Sequence, residues 1–246
     1  MSTAISVRAL VVVRGGREVL HGIDLDVPTG TTVALVGHTG AGKSTIAKLL
    51  ARFYEPTSGR ITIAGVDLND VTQDSLRHQL GIVPQEGFLF AGTVAENIAF
   101  ARPDARPEDI VQAAQTVGAH EFILRLEDGY ETQLGERGSR LSLGQRQLVA
   151  FARALLADPA ILILDEATSS VDIATERRIE HALRRLLHGR TAFIIAHRLS
   201  TVRRANLIVV LEHGTVVEQG THEDLLARGG RYAELYGSWA AEADVA

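Results

Sequence analysis

The sequence predicts an α/β fold in which a helical segment interrupts a mostly parallel sheet. Short apolar runs of strand type alternate with helical patterns at both ends of the 246-residue chain. Because parallel strands need crossover helices on the faces of their sheet, this alternation is typical of a parallel sheet. Residues 85–157, by contrast, contain helical patterns and loops only. We therefore expect an α/β core in residues 1–84 and 158–246, and a helical subdomain in residues 85–157.

Composition excludes several classes of protein. Hydrophobic residues make up 46% of the chain, which is too many for a disordered protein. The net charge of −5 argues against a protein that binds nucleic acid through bulk positive charge. Because the chain has no cysteine, it has neither disulfides nor thiolate metal sites. The sequence shows no signal peptide and no apolar run as long as a membrane span, so we expect the chain itself to be soluble.

The first 84 residues contain five strand patterns and one helix. An alternating run on each side of the turn signal from Arg14 to Arg17 predicts an antiparallel region at the N-terminus. The helix follows a glycine-rich loop and extends from Lys43 to Phe53. The strand patterns are Ile5 to Val13, Val19 to Val27, Thr32 to Val36, Arg60 to Ala64 and Gly81 to Val83.

The rest of the chain gives one helical pattern before strands return. Four apolar residues share one face of a helix that Pro107 opens, namely Ile110, Ala113, Ala114 and Val117. Strand patterns resume after Asp158, and the segment from Thr221 to Asp224 resembles a capping box that begins another helix. The later strand patterns are Ile161 to Leu164, Thr191 to Ile195, Leu207 to Leu211 and Val216 to Glu218.

A phosphate-binding loop is predicted between the third strand and the first helix. The residues from Gly37 to Ser44 fit the pattern G-x-x-x-x-G-K-[ST] in that context. Glycines let the backbone approach phosphates, and the helix N-terminus adds positive potential. Only two of the 25 basic residues are lysines; we expect Lys43 to bind the β- and γ-phosphates and Ser44 to bind Mg²⁺. The alternative is a glycine-rich turn that merely caps a helix.

Two carboxylates follow the strand pattern from Ile161 to Leu164. The C-terminal ends of parallel strands meet at the ligand edge of a sheet, so Asp165 and Glu166 are expected there. We expect Asp165 to hold Mg²⁺ and Glu166 to polarise the water that attacks the γ-phosphate. The alternative is that both acids only make the strand end soluble.

Two further polar residues follow strand patterns at the same expected edge. His197 comes after the strand from Thr191 to Ile195 and is placed to contact the γ-phosphate. Gln85 comes after the strand from Gly81 to Val83 and is placed to join the metal shell. Each of these residues, taken alone, also fits an ordinary structural role.

The segment from Leu141 to Gln147 resembles the signature sequence of the ATP-binding cassette (ABC) family, the nucleotide-binding domains of ABC transporters. The resemblance spans nearly the whole chain and implies a P-loop NTPase core of RecA-like type that hydrolyses ATP with Mg²⁺. It assigns family roles to the residues above: Gly37 to Thr45 form the Walker A loop, Gln85 is the Q-loop glutamine, Asp165 is the Walker B aspartate, Glu166 is the catalytic glutamate, Ser169 to Asp172 form the D-loop and His197 is the switch histidine.

The resemblance also implies a head-to-tail homodimer or heterodimer with a second nucleotide-binding domain. Each ATP would lie between the Walker A loop of one domain and the signature of the other. The implied catalytic residues are Glu166, His197 and Gln85, and the implied metal-binding residues are Ser44, Gln85 and Asp165. The implied nucleotide-binding residues are Gly37, His38, Thr39, Gly40, Ala41, Gly42, Lys43, Ser44 and Thr45 of Walker A, with Ser142, Gly144, Gln145 and Asp172.

Three segments, residues 89–98, 132–138 and 222–232, are similar to the exporter branch of the family. Exporter membership implies transmembrane domains as partners and a place at the cytoplasmic face of the cell membrane through those domains. It implies no binding to nucleic acid. Because the chain contains no membrane helix, we expect either a domain excised from a longer protein or a membrane part supplied by a separate subunit.

Two positions depart from the family pattern. Leu143 stands where the signature most often has glycine, which is either neutral or weakens the site that this chain completes on its partner. Val13 stands at the place where an aromatic residue usually stacks on adenine, and no aromatic residue precedes Phe53. We therefore expect weak stacking on adenine and poor discrimination between ATP and GTP.

Three functions compete on these grounds. The leading one is ATP hydrolysis that drives a membrane exporter. The second is a weakly hydrolysing, nucleotide-gated half of an asymmetric heterodimeric exporter, which Leu143 and Val13 favour and Glu166 and His197 oppose. The third is a soluble ABC-class ATPase that acts on DNA or ribosomes, and the acidic net charge disfavours it.

Overall fold

A computed structural model describes residues 2–85, 87–165 and 173–245 of the chain. These residues divide into two compact units. The first unit takes the described residues of 1–80, 161–166 and 189–246, and the second takes those of 81–160 and 167–188. The expected helical subdomain, residues 85–157, falls within the second unit, which also includes the helix from Ile173 to Leu187. The expected boundaries at 84/85 and 157/158 remain predictions.

The first unit begins with a four-stranded antiparallel sheet of order β2-β1-β4-β5. Its two longest strands, the first two along the chain, form a hairpin closed by Gly15 and Gly16, whose φ values of 56° and 75° suit the tight turn that the sequence indicates. The antiparallel N-terminal region is therefore confirmed. The strands of this sheet are β1 (Thr3–Arg14), β2 (Arg17–Pro28), β4 (Ser58–Ile63) and β5 (Val66–Asp67).

The strands of the second sheet are mostly parallel. The strands of this sheet that belong to the first unit follow the order β10-β9-β3-β8-β7. β3 pairs in parallel with β8 and β9, β7 pairs in parallel with β8, and β10 is antiparallel to β9. Each of these strands lies within one or two residues of its predicted bounds. They are β3 (Thr32–Val36), β7 (Ile161–Asp165), β8 (Thr191–Ile195), β9 (Leu207–Glu212) and β10 (Thr215–Gly220); β6 (Leu80–Val83) lies where the two units meet along the chain.

Four helices of the first unit follow its strands along the chain. The apolar face of α1 places Ile46, Leu49 and Leu50 in one buried cluster with Leu35 of β3 and Phe193 of β8. This packing fixes the N-terminus of α1 at the carboxyl end of β3. The helices are α1 (Lys43–Leu50), α2 (Gln73–Gln79), α8 (Leu199–Arg204) and α9 (His222–Arg228), with α10 (Arg231–Val245) at the end of the described chain.

The second unit is helical, as the sequence predicts, and α6 packs against α3, α4 and α7. The predicted apolar face behind Pro107 is confirmed, because all four of its residues are buried. α3 begins with a capping box between Thr93 and Glu96. The helices are α3 (Val94–Ala99), α4 (Pro107–Thr116), α5 (His120–Ile123), α6 (Leu143–Ala157) and α7 (Ile173–Leu187). No helix among the described residues is long and apolar enough to cross a membrane.

Candidate functional site

The phosphate loop connects β3 to α1, and two of its glycines cannot be replaced without strain. Gly37 has a φ of 146°, and a Cβ there would collide with the carbonyl oxygen of Leu211. Gly42 has a φ of 105°, and a Cβ there would lie 2.6 Å from Cδ2 of Leu20. Both glycines are therefore required by close packing in the left-handed region as well as by the phosphate pattern.

Lys43 is the first residue of α1 and its side chain folds back over the loop. Lys43 is buried, with only 6% of its surface exposed. Its Nζ donates hydrogen bonds to the carbonyl oxygens of Gly37 at 2.6 Å and His38 at 2.9 Å. Burial lowers the pKa of Lys43, while the negative charge of Asp165 opposes that shift. The ammonium is thus held inside the curve of the loop, where a phosphate chain would lie.

The other expected polar groups of the first unit lie at the same edge of the sheet. Ser44 is exposed on the first turn of α1, Asp165 is the last residue of β7, and His197 follows β8. Burial raises the pKa of Asp165 against the opposing charges of His197, Lys43 and Lys48. Burial and the charge of Lys43 lower the pKa of His197, whose ring nevertheless has solvent access. Because its pKa is lowered from 6.5, the imidazole of His197 is mostly neutral at pH 7.

This group of residues fits a nucleoside triphosphate with Mg²⁺. Gly42 caps α1 in the left-handed conformation without a side-chain hydrogen bond, so no capping side chain covers the positive end of the helix. The exposed Ser44 hydroxyl and the Asp165 carboxylate are oxygen donors of the kind that Mg²⁺ takes when it keeps several waters. Among the described residues, no cluster of three acidic or histidine side chains offers a complete metal site.

The loop is also held from the C-terminal part of the chain, which the sequence reasoning missed. The backbone N–H of Gly214, in the β9–β10 turn, donates to the carbonyl oxygen of Ala41 at 3.1 Å. Nη2 of Arg231, the first residue of α10, lies 3.2 Å from Nε2 of His38 and 2.7 Å from Oε1 of Glu212. Arg231 and His38 are 193 positions apart, so no local sequence pattern predicts their contact.

The signature residues lie in the second unit at the start of α6. Ser142 caps the helix in a capping box: Ser142 Oγ accepts from the backbone N–H of Gln145, and Gln145 Oε1 accepts from the backbone N–H of Ser142. Gly144 is buried, and a Cβ there would collide with Cγ2 of Thr175. α6 thus begins directly after Ser142. Contact of Ser142, Gly144 and Gln145 with a partner's nucleotide remains a prediction.

Three further predicted residues are Gln85, Glu166 and Asp172. Gln85 follows β6 in the second unit and is exposed. Its catalytic and metal-binding roles remain predictions. Glu166 and Asp172 lie outside the described residues, so their roles rest on the sequence alone.

The predicted adenine position, Val13, lies at the end of β1 and is 43% exposed. Its backbone N–H donates to Thr57 Oγ1 at 2.9 Å. The next residue, Arg14, places the carbon of its guanidinium 3.7 Å from the ring centroid of Tyr54. An aromatic ring that the sequence lacks before Phe53 is thus supplied beside β1 from the segment after α1.

An exposed aromatic face in the second unit is the main feature that the sequence reasoning missed. Phe90 stacks on Phe100 with ring centroids 4.0 Å apart, and Phe88 meets Phe90 edge to face at 5.1 Å. These three rings are 46% (Phe88), 38% (Phe90) and 53% (Phe100) exposed, and the last two line a cavity of about 490 Å³. Solvent-exposed apolar groupings of this kind mark interaction sites.

Arg153 of α6 forms hydrogen bonds to the segments that carry this aromatic face. It donates to the backbone oxygens of Asn97 at 2.8 Å and Phe88 at 3.0 Å, and to Oδ1 of Asn97 at 2.9 Å. Burial lowers the pKa of Arg153 to about 10, so it remains charged at neutral pH. Its guanidinium carbon lies 5.3 Å from the ring centroid of Phe90. The exposed rings are therefore carried by a rigid, hydrogen-bonded support.

Comparison with known families agrees with this geometry. The profile of the ABC transporter family matches residues 20–169, which is more than half of the chain. The chain belongs to the ABC transporter family. The matched residues include the whole Walker A loop, the signature and the end of β7. ATP-binding domains of this family are ATPases, and the ABC domain described here has the phosphate loop that such an activity needs.

Relatives of the ABC domain are longer proteins. This chain is 57% identical over 219 residues to the ABC transporter ATP-binding protein YknV of Bacillus subtilis, and the match covers 89% of this chain and 36% of that protein. It is 51% identical over 223 residues to an ATP-dependent lipid A-core flippase of Legionella pneumophila, covering 91% of this chain and 38% of that protein. The chain thus spans less than two fifths of the length of these relatives.

A solved structure shares the fold of the ABC domain. The structure of a bacterial Atm1-family ABC exporter with ATP bound superposes with a TM-score of 0.89 at 47% sequence identity. The match covers 96% of this chain and 41% of that one. The predicted fold, a mostly parallel P-loop core with an antiparallel region and a helical part, is confirmed.

Proposed function

We propose that this chain is the ATP-hydrolysing domain of an ABC exporter, and that it dimerises head to tail around two ATP molecules with Mg²⁺. The observation that carries the proposal is the phosphate loop closed around the Lys43 ammonium, with Asp165 and His197 at the same edge of the sheet. Its relatives, a lipid flippase and an Atm1-family exporter, support export as the work that hydrolysis drives.

Nucleotide binding begins with the phosphate loop. The ammonium of Lys43 exchanges the carbonyl oxygens of Gly37 and His38 for β- and γ-phosphate oxygens, and the N-terminus of α1 contributes its N–H groups. Ser44 and Asp165 would hold Mg²⁺ from the protein side, with Gln85 as a further oxygen donor. When bound, Mg²⁺ neutralises the phosphate oxygens as charge develops on them.

Hydrolysis then needs a base and a hydrogen-bond donor. Glu166, directly after the end of β7, accepts the proton of the attacking water, which forms the new bond to the γ-phosphorus as the bond to ADP breaks. His197 is neutral at pH 7 because its pKa is lowered, so its ring N–H donates to a γ-phosphate oxygen without adding charge. The signature of a second domain, Ser142 to Gln145, would close the site across the dimer, with Asp172 beside it.

The aromatic face of Phe88, Phe90 and Phe100 is the proposed contact with the transmembrane domains. Its rings are exposed, and Arg153 and Asn97 fix the segment that carries them. A rigid apolar surface with a cavity suits an inserted apolar or aromatic side chain of a partner. Through that contact the chain would be held at the cytoplasmic face of the membrane.

ATP hydrolysis by the purified chain, measured beside Glu166→Gln, tests the proposal. We expect Glu166→Gln to bind ATP, to lose about 10²–10⁴ in rate, and to remain dimeric with ATP on a sizing column. The exposed Glu176→Gln on α7 is the matched control and should hydrolyse like the parent. Hydrolysis by Glu166→Gln within a few-fold of the parent contradicts the assignment. A parent that binds ATP and barely hydrolyses it would instead favour the asymmetric heterodimer.

A further inference from the structure

The end of the β1–β2 hairpin holds a planar cation at a fixed place near the phosphate loop. Arg14 pairs with Arg17 across the turn of Gly15 and Gly16, so its backbone is held by the hairpin. The N–H of Val13 is fixed by Thr57. The guanidinium carbon of Arg14 lies over the ring of Tyr54, 3.7 Å from its centroid. Arg14 is exposed.

Tyr54 connects this cation to the phosphate loop. Its hydroxyl donates to the carbonyl oxygen of Thr45 at 3.4 Å, so the ring spans from Arg14 to the first turn of α1. Thr45 directly follows Ser44 of the phosphate loop. Leu20 of β2 also lies against Gly42 of the loop, so both the hairpin and Tyr54 border the phosphate loop.

We propose that Arg14, held over the ring of Tyr54, is the platform on which the purine of the nucleotide stacks. A guanidinium is planar and weakly hydrated, and it stacks on flat rings and on bases. One face of the Arg14 guanidinium lies against the ring of Tyr54, and the base would stack on the opposite face. Because Tyr54 already orders the side chain, little rotamer entropy remains to be lost when the base binds. The inference rests on the proposed nucleotide site and deepens it.

This platform explains how the chain holds a base although Val13 is aliphatic. Stacking on a guanidinium depends on the π-face that every base has, and not on its hydrogen-bonding edge. The platform therefore binds adenine and guanine alike.

Calorimetric titration of the isolated chain with Mg·ATP, Mg·GTP and Mg·triphosphate tests the platform. Arg14→Ala should weaken ATP and GTP binding by about three- to tenfold and leave inorganic triphosphate unchanged. Arg14→Lys keeps the charge and loses the plane, so it should weaken ATP binding in the same way. Arg17→Ala, which removes the same charge from the paired position, is the control and should bind all three like the parent.

Tyr54 supplies a second, independent measurement. Tyr54→Phe keeps the ring and should bind ATP like the parent, whereas Tyr54→Leu should weaken ATP binding and add nothing to the loss already caused by Arg14→Ala. Unchanged ATP affinity in Arg14→Ala overturns the proposal. Equal losses for ATP and triphosphate also overturn it, because the effect is then charge alone. A parent chain that fails to bind triphosphate overturns the phosphate site itself, and the platform with it.

Discussion

Nζ of Lys43 donates to the carbonyl oxygen of Gly37 at 2.6 Å, so the phosphate loop is closed on its own lysine. The loop keeps its curved shape because the ammonium bonds to backbone oxygens from within. In the proposed function, an entering triphosphate takes over those bonds, so that the ammonium of Lys43 remains paired during the exchange.

Lys43→Ala should abolish nucleotide binding, because it removes both the phosphate contact and the hydrogen bonds that shape the loop. We expect ATP affinity to fall by at least about 100-fold, the value of a buried charge-assisted contact. Lys48→Ala removes the chain's other lysine, which is exposed on α1, and should bind ATP nearly as the parent does. Calorimetry would measure both. Equal affinity of Lys43→Ala and the parent would defeat the phosphate-loop assignment.

Asp165→Asn should stabilise the chain in metal-free, nucleotide-free buffer. Burial raises the pKa of Asp165, so above the unfolded value of 3.8 the folded state binds more protons and stability falls as pH rises through the raised pKa. The variant has no such charge, and we expect its Tm at pH 7 to be higher by about 1–3 °C. The gain should shrink as pH falls below the raised pKa.

Asp109→Asn is the counterpart for the pH experiment. A hydrogen bond from Arg106 lowers the pKa of Asp109, so its charge is favourable in the folded state above the unfolded value. This variant should show no rise in Tm at pH 7. A thermal scan from pH 4 to pH 8 separates the two signs. A fall in Tm for Asp165→Asn would mean that its charge stabilises the apo site.

Gly144→Ala should destabilise the chain by about 1–3 kcal/mol, because the added Cβ meets Cγ2 of Thr175 on α7. Thr175→Ser removes that methyl group and keeps the hydroxyl. The double variant should recover most of the lost stability, measured by denaturant unfolding. If Thr175→Ser gives no recovery, the cost of Gly144→Ala arises elsewhere than in this contact.

Phe90→Ser should impair assembly with the membrane domains that we propose as partners. The substitution removes the central ring of the exposed aromatic face and leaves the hydrogen bonds of Arg153 to the backbone. We expect loss of co-purification from cells that express the chain together with its membrane domains. Phe53→Ser removes an even more exposed ring, 66% exposed, from the first unit and is the control. Comparable co-purification of both variants would place the docking surface elsewhere.

The ligand edge of the sheet could be predicted from the sequence because its parts are local. β3 and β8 have the predicted bounds, and Lys43 and Ser44 follow from a contiguous motif with helical context. Strong apolar runs and a glycine-rich loop leave few alternative structures for such segments. β5, with two residues, carries too little pattern for such a prediction.

The contacts that adjust the site could not be predicted, because each joins segments far apart in the chain. Tyr54 beneath Arg14 and Thr175 against Gly144 depend on how packed elements meet. The support of the aromatic face by Arg153 joins α6 to α3 and to the loop of Phe88, both more than fifty residues earlier. A single sequence records the residue types at these places and not which of them touch.

The contact of Arg231 with His38 has a practical consequence for anyone who engineers this chain. α10 is joined through its first residue to the phosphate loop and to Glu212 at the end of β9. A shortened version that stops at Gly230, or a fusion joined at that point, removes a support of the loop and is expected to bind nucleotide differently. A tag placed after α10 leaves that support intact, so it is the safer attachment point for binding measurements.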